Sequence, residues 1–195
     1  MLKRLFDILS ALIVFIILSP VYVMIALLIV LTSPGGILYR QPRIGIHGKV
    51  FTLYKFRTMY SGADKKGLLT VGMRDTRITG VGYYLRKYKL DELPQLFNII
   101  RGDMSVVGPR PEVEKYVALY NAEQRNVLSV RPGLTDLASL EYIDENKVLA
   151  QYADAEKAYI EHVMPHKLAL NLEYISKQSL LYDLQIIIRT LLKLF

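Results

Sequence analysis

Residues 89–112 read KLDELPQLFNIIRGDMSVVGPRPE. Two neighbouring acids, Asp91 and Glu92, stand there ahead of Pro94, with Arg86 upstream and Arg110 downstream in a Gly-Pro-Arg-Pro turn. Proline is least costly in the first turn of a helix, where its missing N–H has no partner anyway. A helix is therefore predicted from about Asp91–Pro94 to Arg101, with Gly102 just past its end. In that frame both acids lie among unpaired backbone donors at the positive end of the dipole, and both are expected to stay ionised. Neighbouring helical residues point about 100° apart, so one carboxylate can face an electrophile while the other holds a divalent cation. Guanidinium forks suit phosphate oxygens, and Arg86 and Arg110 are the candidates to bind them. Acids for a metal with arginines for phosphate match phosphoryl transfer, whose catalysis is mostly charge neutralisation. Lys55, Arg57 and Arg131 are further substrate-binding candidates. With Arg43 they also fit side chains that snorkel or meet lipid headgroups.

The rest of the composition removes other chemistries. With no cysteine there is no disulfide framework, thiolate nucleophile or Cys-based zinc site. There is no Walker A run, and Thr79-Gly80-Val81-Gly82 is only a fragment of a dinucleotide fingerprint. His162 and His166 have the i, i+4 spacing of a zinc pair, but Pro165 stands between them and no HExxH motif is present, so no metal site is expected there. The chain carries a net charge of +7, of which Lys3, Arg4 and Asp7 leave +6 on residues 34–195. That excess suits an anionic partner. No nucleic-acid module is recognisable, and nucleic acid is not expected as a partner.

The elements that must carry these residues begin with Ile8–Leu31, 24 residues without a charge. As a helix this stretch is roughly 36 Å long, against a hydrocarbon core of about 30 Å. It overshoots a signal-peptide core and has no small-x-small cleavage site after it. Pro20 near its centre frees a carbonyl that the Ser19 hydroxyl could satisfy. Lys3 and Arg4 flank one side and Arg40, Arg43, Lys49, Lys55 and Arg57 follow the other, drawing both ends toward the cytoplasm. A helix kinked at Ser19-Pro20 that enters and leaves by one leaflet satisfies both pulls, and a bent spanning helix remains the alternative.

Beyond Ser33-Pro34-Gly35-Gly36, residues 37–45 and 49–56 read as strands around Ile46-His47-Gly48. Residues 61–80 are polar and glycine-punctuated, a loop that could move. Helices are expected over 81–89, 93–101, 112–130 and 144–164, the last ended by Pro165. The tail places Leu180, Leu184, Ile187, Ile188, Leu191, Leu192 and Phe195 on one stripe, either packed on the core or lying in a membrane interface. The fold class is α+β: a re-entrant membrane helix over 1–33, then a small, mostly helical domain over 34–195 with one β-hairpin and interfacial amphipathic helices.

These residues resemble the monotopic phosphoglycosyl transferases, bacterial sugar transferases that begin glycoconjugate assembly. The likeness runs through Ser19-Pro20, QPRIG, YKFRTM, the 89–112 stretch, VRPGLT and DLQIIIRTL. It implies that Asp91 attacks the sugar-bearing phosphate of a UDP-sugar, releases UMP and forms an aspartyl phosphosugar. A polyprenyl phosphate (undecaprenyl phosphate) then takes the phosphosugar, in a ping-pong scheme. It further implies Mg²⁺ on Glu92, phosphate contacts from Arg86 and Arg110, and a re-entrant segment broken at Ser-Pro. The expected setting is one leaflet of the bacterial inner membrane, with the site on the cytoplasmic face. The chain is expected to be the minimal catalytic unit, and a homodimer is left open. The alternative is a catalytically silent membrane-anchored scaffold for glycosyltransferases. Where family members often continue Thr-Gly-Leu-Ala-Gln, this chain has Thr135-Asp136-Leu137-Ala138-Ser139, a loop expected to touch the sugar. Residues 146–165 have no assigned role.

Overall fold

The computed structural model describes residues 2–63, 75–143 and 145–194. It opens with α1 (Leu2–Ile17) and α2 (Ser19–Thr32), bent by 62° at the break between them. Leu18 N donates to Val14 O and Tyr22 N to Leu18 O, so helical bonding resumes on both sides of Pro20. The proline lies in the first turn of α2, where it needs no rescue. The bond expected from Ser19 is not made among the described residues. No single helix is long and apolar enough to cross a membrane, while the bent pair is compatible with a re-entrant path.

The α1 helix has its polar side inward. Leu5, Leu9, Ile13, Ile16 and Ile17 are exposed. Lys3 Nζ donates to Asp183 Oδ2 at 2.5 Å and to Val107 O at 3.0 Å, and Arg4 donates to the carbonyls of Ile100 and Met104. Asp7 is buried and accepts from Ser105 Oγ at 2.9 Å and Val106 N at 3.1 Å. Lys3 and Arg4 therefore anchor the helix, beyond marking its flank. Ala11 and Phe15 join a core with Leu53, Leu96 and Ile99, and Ile25 and Ile29 join Phe56 and Leu85. Each fully buried side chain of this kind contributes about 1.5–3 kcal/mol. Packing thus runs straight across residue 33.

Strands β1 (Leu38–Ile44) and β2 (Val50–Phe56) form the expected hairpin, with Leu38 opposite Phe56 and Ile44 opposite Val50. Helix α3 (Gly80–Lys87) follows, its first turn capped by Thr79 Oγ1, which accepts from Gly82 N. A Cβ on Gly82 would lie 2.0 Å from the Thr58 carbonyl, so only glycine lets α3 pack this close to the end of β2. Residues 64–74, most of the expected loop 61–80, lie outside the described residues. Helix α4 (Gln95–Arg101) ends at Gly102, whose φ of +100° is the left-handed stop expected there.

Beyond α4, β3 (Ser105–Val107) pairs in parallel with β4 (Gly133–Thr135). The helix expected over 112–130 is broken into α5 (Glu114–Val117) and a 3₁₀ segment, Gln124–Ser129. Asn121 and Gln124 exchange backbone-to-side-chain bonds at 2.9 and 2.8 Å, a reciprocal cap that starts a new element where periodicity alone reads continuity. Helix α6 (Leu137–Glu141) comes next. The expected 144–164 helix is likewise divided, into α7 (Glu145–Leu149) and α8 (Ala155–Ala158), with Asp144 outside the described residues. Pro165 does not end it. A π-helical turn, Tyr159–Val163, widens the backbone ahead of the ring, and α9 (Met164–Lys177) continues through it.

Helix α10 (Leu180–Leu194) turns Asp183 and Ile186 inward, while Leu181, Ile188, Leu191 and Leu192 are exposed. Most of the apolar stripe read from the sequence therefore faces away from the core.

Candidate active site

Helix α3 stops at Lys87, and Lys89 takes up a left-handed conformation (φ 55°) that turns the chain into a tight 3₁₀ turn, Leu90–Glu92. A lysine there is strained, a feature that clusters at functional sites. The turn faces β2, and both acids are buried. Their surroundings differ sharply.

Glu92 is held by two cations. Lys55 Nζ donates to its Oε1 at 2.9 Å, and Arg110 places its two terminal nitrogens on Oε1 and on Oε2, the latter at 3.2 Å. Burial opposes the charge, but Arg110 and Lys55 hold this carboxyl well below the usual range. Glu92 in turn pushes the Arg110 guanidinium up. Lys55 is drawn down, chiefly by burial, despite Glu92 beside it.

Asp91 is the opposite case. No hydrogen-bond donor among the described residues reaches its carboxylate, and it lines a cleft of about 210 Å³ together with Lys55 and Arg86. Burial pushes this carboxyl up; Lys55 offsets that in part, the negative Glu92 adds to it, and Arg86 and Lys89 offset it further. The two acids, expected alike to stay ionised, are thus shifted in opposite directions. Distance from water matters more here than the end of a short helix.

Arg110 is aimed by backbone packing. A Cβ on Gly133 would lie 2.1 Å from the Gly108 nitrogen, so two glycines allow β3 and β4 to run against each other just before the Pro109-Arg110-Pro111 turn. Asp136, completely buried, accepts from Arg110 N at 3.2 Å and from Ser139 N at 2.7 Å, capping α6. Its side chain is thus turned inward, where it fixes the Arg110 backbone.

The remaining candidates divide. Arg57 lines the cleft, but its guanidinium is spent on the carbonyls of Ser33, Pro34 and Gly36, at 2.5–3.1 Å, fastening the end of α2 to the cleft wall. Arg131 lies away from Asp91, donating to Gly102 O at 3.0 Å beyond the far end of α4. His166 bonds the Tyr142 hydroxyl and His162 stacks on Tyr152.

Sequence reading missed two supports. Asn98, buried on α4, donates to Thr52 O at 2.7 Å and accepts from Tyr54 N at 3.1 Å, fixing β2 to the helix behind the acids. Tyr22 donates to Leu93 O at 2.6 Å, tying α2 to the turn that carries them. An asparagine on a helix and a tyrosine in an apolar run carry no sequence signal of such contacts.

A carboxylate with no hydrogen-bond donor on it among the described residues, at the wall of a cleft flanked by cations, can act as a nucleophile toward an anionic phosphorus centre. The whole chain, residues 1–195, matches the bacterial sugar transferases. It is 36% identical over 191 residues to a UDP-glucose:undecaprenyl-phosphate glucose-1-phosphate transferase of Caulobacter vibrioides, covering 96% of this chain and 67% of that protein. It is 38% identical to the exopolysaccharide production protein ExoY of Sinorhizobium fredii, over 97% of this chain and 83% of the relative. A UDP-N-acetylgalactosamine-undecaprenyl-phosphate N-acetylgalactosaminephosphotransferase of Aeromonas hydrophila is 36% identical over 97% of this chain, which spans only 43% of its length. From end to end, this chain belongs to the bacterial sugar transferase family.

Proposed function

We propose that the protein transfers a sugar phosphate from a UDP-sugar to a polyprenyl phosphate in the membrane, giving a polyprenyl diphosphosugar and UMP. The observation that carries this reading is the contrast between the two acids: Glu92 is bound by Lys55 and Arg110, whereas Asp91 lines the cleft with no hydrogen-bond donor on it among the described residues. An Asp91 oxygen attacks the sugar-bearing phosphorus, and the bond from that phosphorus to the bridging oxygen breaks, releasing UMP. An oxygen of the acceptor phosphate then attacks the same phosphorus, and the aspartyl oxygen leaves as the carboxylate. Covalent storage lets one site serve a soluble anion and a membrane-bound one in turn. Lys55 and Arg86, whose charges act on Asp91, would offset the charge that gathers on the transferred group.

Glu92 retains one acceptor position on Oε2, and hard carboxylate oxygens suit Mg²⁺, which commonly takes one or two carboxylates together with substrate phosphates. Glu92 would hold it, and when bound the ion would neutralise diphosphate charge.

The outward apolar faces of α1, α2 and α10 support residence in one leaflet, and the basic residues flanking both ends of the apolar run support a site on the cytoplasmic side of the bacterial inner membrane. The names of the relatives support the UDP-sugar and undecaprenyl phosphate as substrates.

The test is UMP release by nanodisc-embedded protein across a panel of UDP-sugars, with undecaprenyl phosphate and Mg²⁺. Release that disappears in Asp91→Asn supports the reading. Full release by that variant would remove Asp91 as nucleophile, and silence of folded wild type across the panel would favour a scaffold.

A further inference from the structure

The cleft is chemically uneven. Around Asp91 stand Lys55 and Arg86. Along the β1 wall, Tyr39, Gln41 and Arg43 alternate onto one face, as the period of a strand requires, and all three line the cleft. The charge on that wall is matched: Arg43 Nη1 bonds Glu112 Oε1 at 2.9 Å and Pro111 O at 3.1 Å. Glu112 is itself held by Tyr159, whose hydroxyl donates to Oε2, and by Val113 N at 2.8 Å.

This anchored guanidinium fixes Gln41. Arg43 Nε and Nη2 both point at one atom of the Gln41 amide, at 3.1 and 2.7 Å. Arginine can only donate, so that atom is the carbonyl oxygen. The amide NH₂ group must then point away from Arg43, and no acceptor among the described residues receives it. The wall therefore presents two oriented N–H donors of no net charge in the same cleft as Asp91.

Building on the reaction proposed above, we infer that Gln41 binds an uncharged oxygen of the donor, a sugar hydroxyl or a uracil carbonyl, through its side-chain amide. The diphosphate is drawn to the cationic end around Asp91, and a neutral donor is the group suited to read the part of the same molecule that carries no charge. A site built to donate to an oxygen discriminates strongly against analogues lacking it, because the donor is left unpaired.

Two substitutions and one analogue test this. Gln41→Glu keeps an oxygen for Arg43 and replaces the two N–H donors by an acceptor. Gln41→Met is similar in length, neutral, and donates nothing. Both are expected to raise the KM for the UDP-sugar by about tenfold or more, from the loss of one hydrogen bond and the desolvated group left opposite it, with kcat changed less than about twofold. UDP, which carries the uracil without the sugar, separates the two oxygens. Weaker inhibition by UDP in both variants assigns the contact to uracil, and unchanged inhibition assigns it to the sugar. Unchanged KM in Gln41→Met overturns the inference, even if Gln41→Glu is impaired, because charge alone then explains the latter. Calorimetric titration of the donor accompanies the kinetics. A folded wild type that neither binds nor turns over any donor removes the underlying reaction and this contact with it, whereas an active wild type with indifferent variants removes only Gln41.

Discussion

Arg110 closes its guanidinium fork on Glu92 across 18 residues of chain, while its own backbone N–H is held by Asp136. The pair links the β3–β4 corner to the turn that carries Asp91, with Lys55 completing a half-buried cation–carboxylate–cation triad. Glu92→Gln would leave two cations facing each other without their counter-charge. Breaking such a pair is expected to cost about 3 kcal/mol, and roughly 2–4 °C of melting temperature accompanies each kcal/mol in a chain of this size. UMP release should fall by about tenfold or more, since Arg110 and Lys55 lose their fixed positions. A thermal melt beside the UMP assay checks both, and retention of stability would show the triad to be dispensable.

Asp91 and Glu92 should respond to pH in opposite directions. Burial raises the Asp91 pKa in the folded protein, so its folded state binds the proton more tightly. Its contribution favours folding below the unfolded pKa and is lost as pH rises through the folded value. At neutral pH the ionised side chain is therefore a burden, and Asp91→Asn should raise the melting temperature while abolishing turnover. The gain should shrink on acidification toward the ordinary aspartate range. Glu92 is held low by Arg110 and Lys55, so its contribution is present above the ordinary glutamate pKa and lost as pH falls through its depressed folded value. Melting curves of wild type and Asp91→Asn from neutral to acidic pH test the first sign; a variant no more stable than wild type at pH 7 would contradict it. The acid limb of kcat/KM should likewise lie above the ordinary aspartate range, because the nucleophile must lose its proton.

Much of this arrangement was legible because local rules and tertiary packing agree. The strand before His47 alternates cleanly, and Gly102 stops α4 where a left-handed residue must stand. The acids and Arg110 were recognisable from residue type and spacing. The difference between the acids was not, since it depends on Lys55, far away in the chain, choosing Glu92 over Asp91. The inward polar side of α1 was hidden for a similar reason. Lys3, Arg4 and Asp7 satisfy a flanking-charge rule in the sequence, while their partners lie about 100 or more residues away on α4, β3 and α10 and just before β3. The break at Asn121 and the π turn before Pro165 depend on side-chain caps and backbone widening that periodicity cannot register.

Asp136 is expected to matter for position and not for sugar choice. Asp136→Ala removes the cap on α6, a loss of about 1 kcal/mol, and leaves the Arg110 N–H without its acceptor. Turnover should fall for every accepted UDP-sugar by a similar factor, with their relative rates preserved. A donor panel run on wild type and variant checks this; a changed order of preference would return the residue to the sugar.

The anchoring of α1 should be tested at Lys3, because its partner is the more deeply buried member. Asp183 is fully buried and receives Lys3 Nζ at 2.5 Å and the Tyr174 hydroxyl at 2.6 Å. Lys3→Met keeps the aliphatic stem but strands the carboxylate, and an uncompensated buried charge costs about 3–5 kcal/mol. Replacing both members, Lys3→Met with Asp183→Leu, removes the charge along with its partner and should recover much of the loss, since a well-packed apolar pair can match a buried ion pair. The melting temperatures of wild type, both single variants and the double variant in nanodiscs complete the cycle. A double variant no better than Lys3→Met alone would mean that the bond fixes α1 through geometry that an apolar contact does not reproduce.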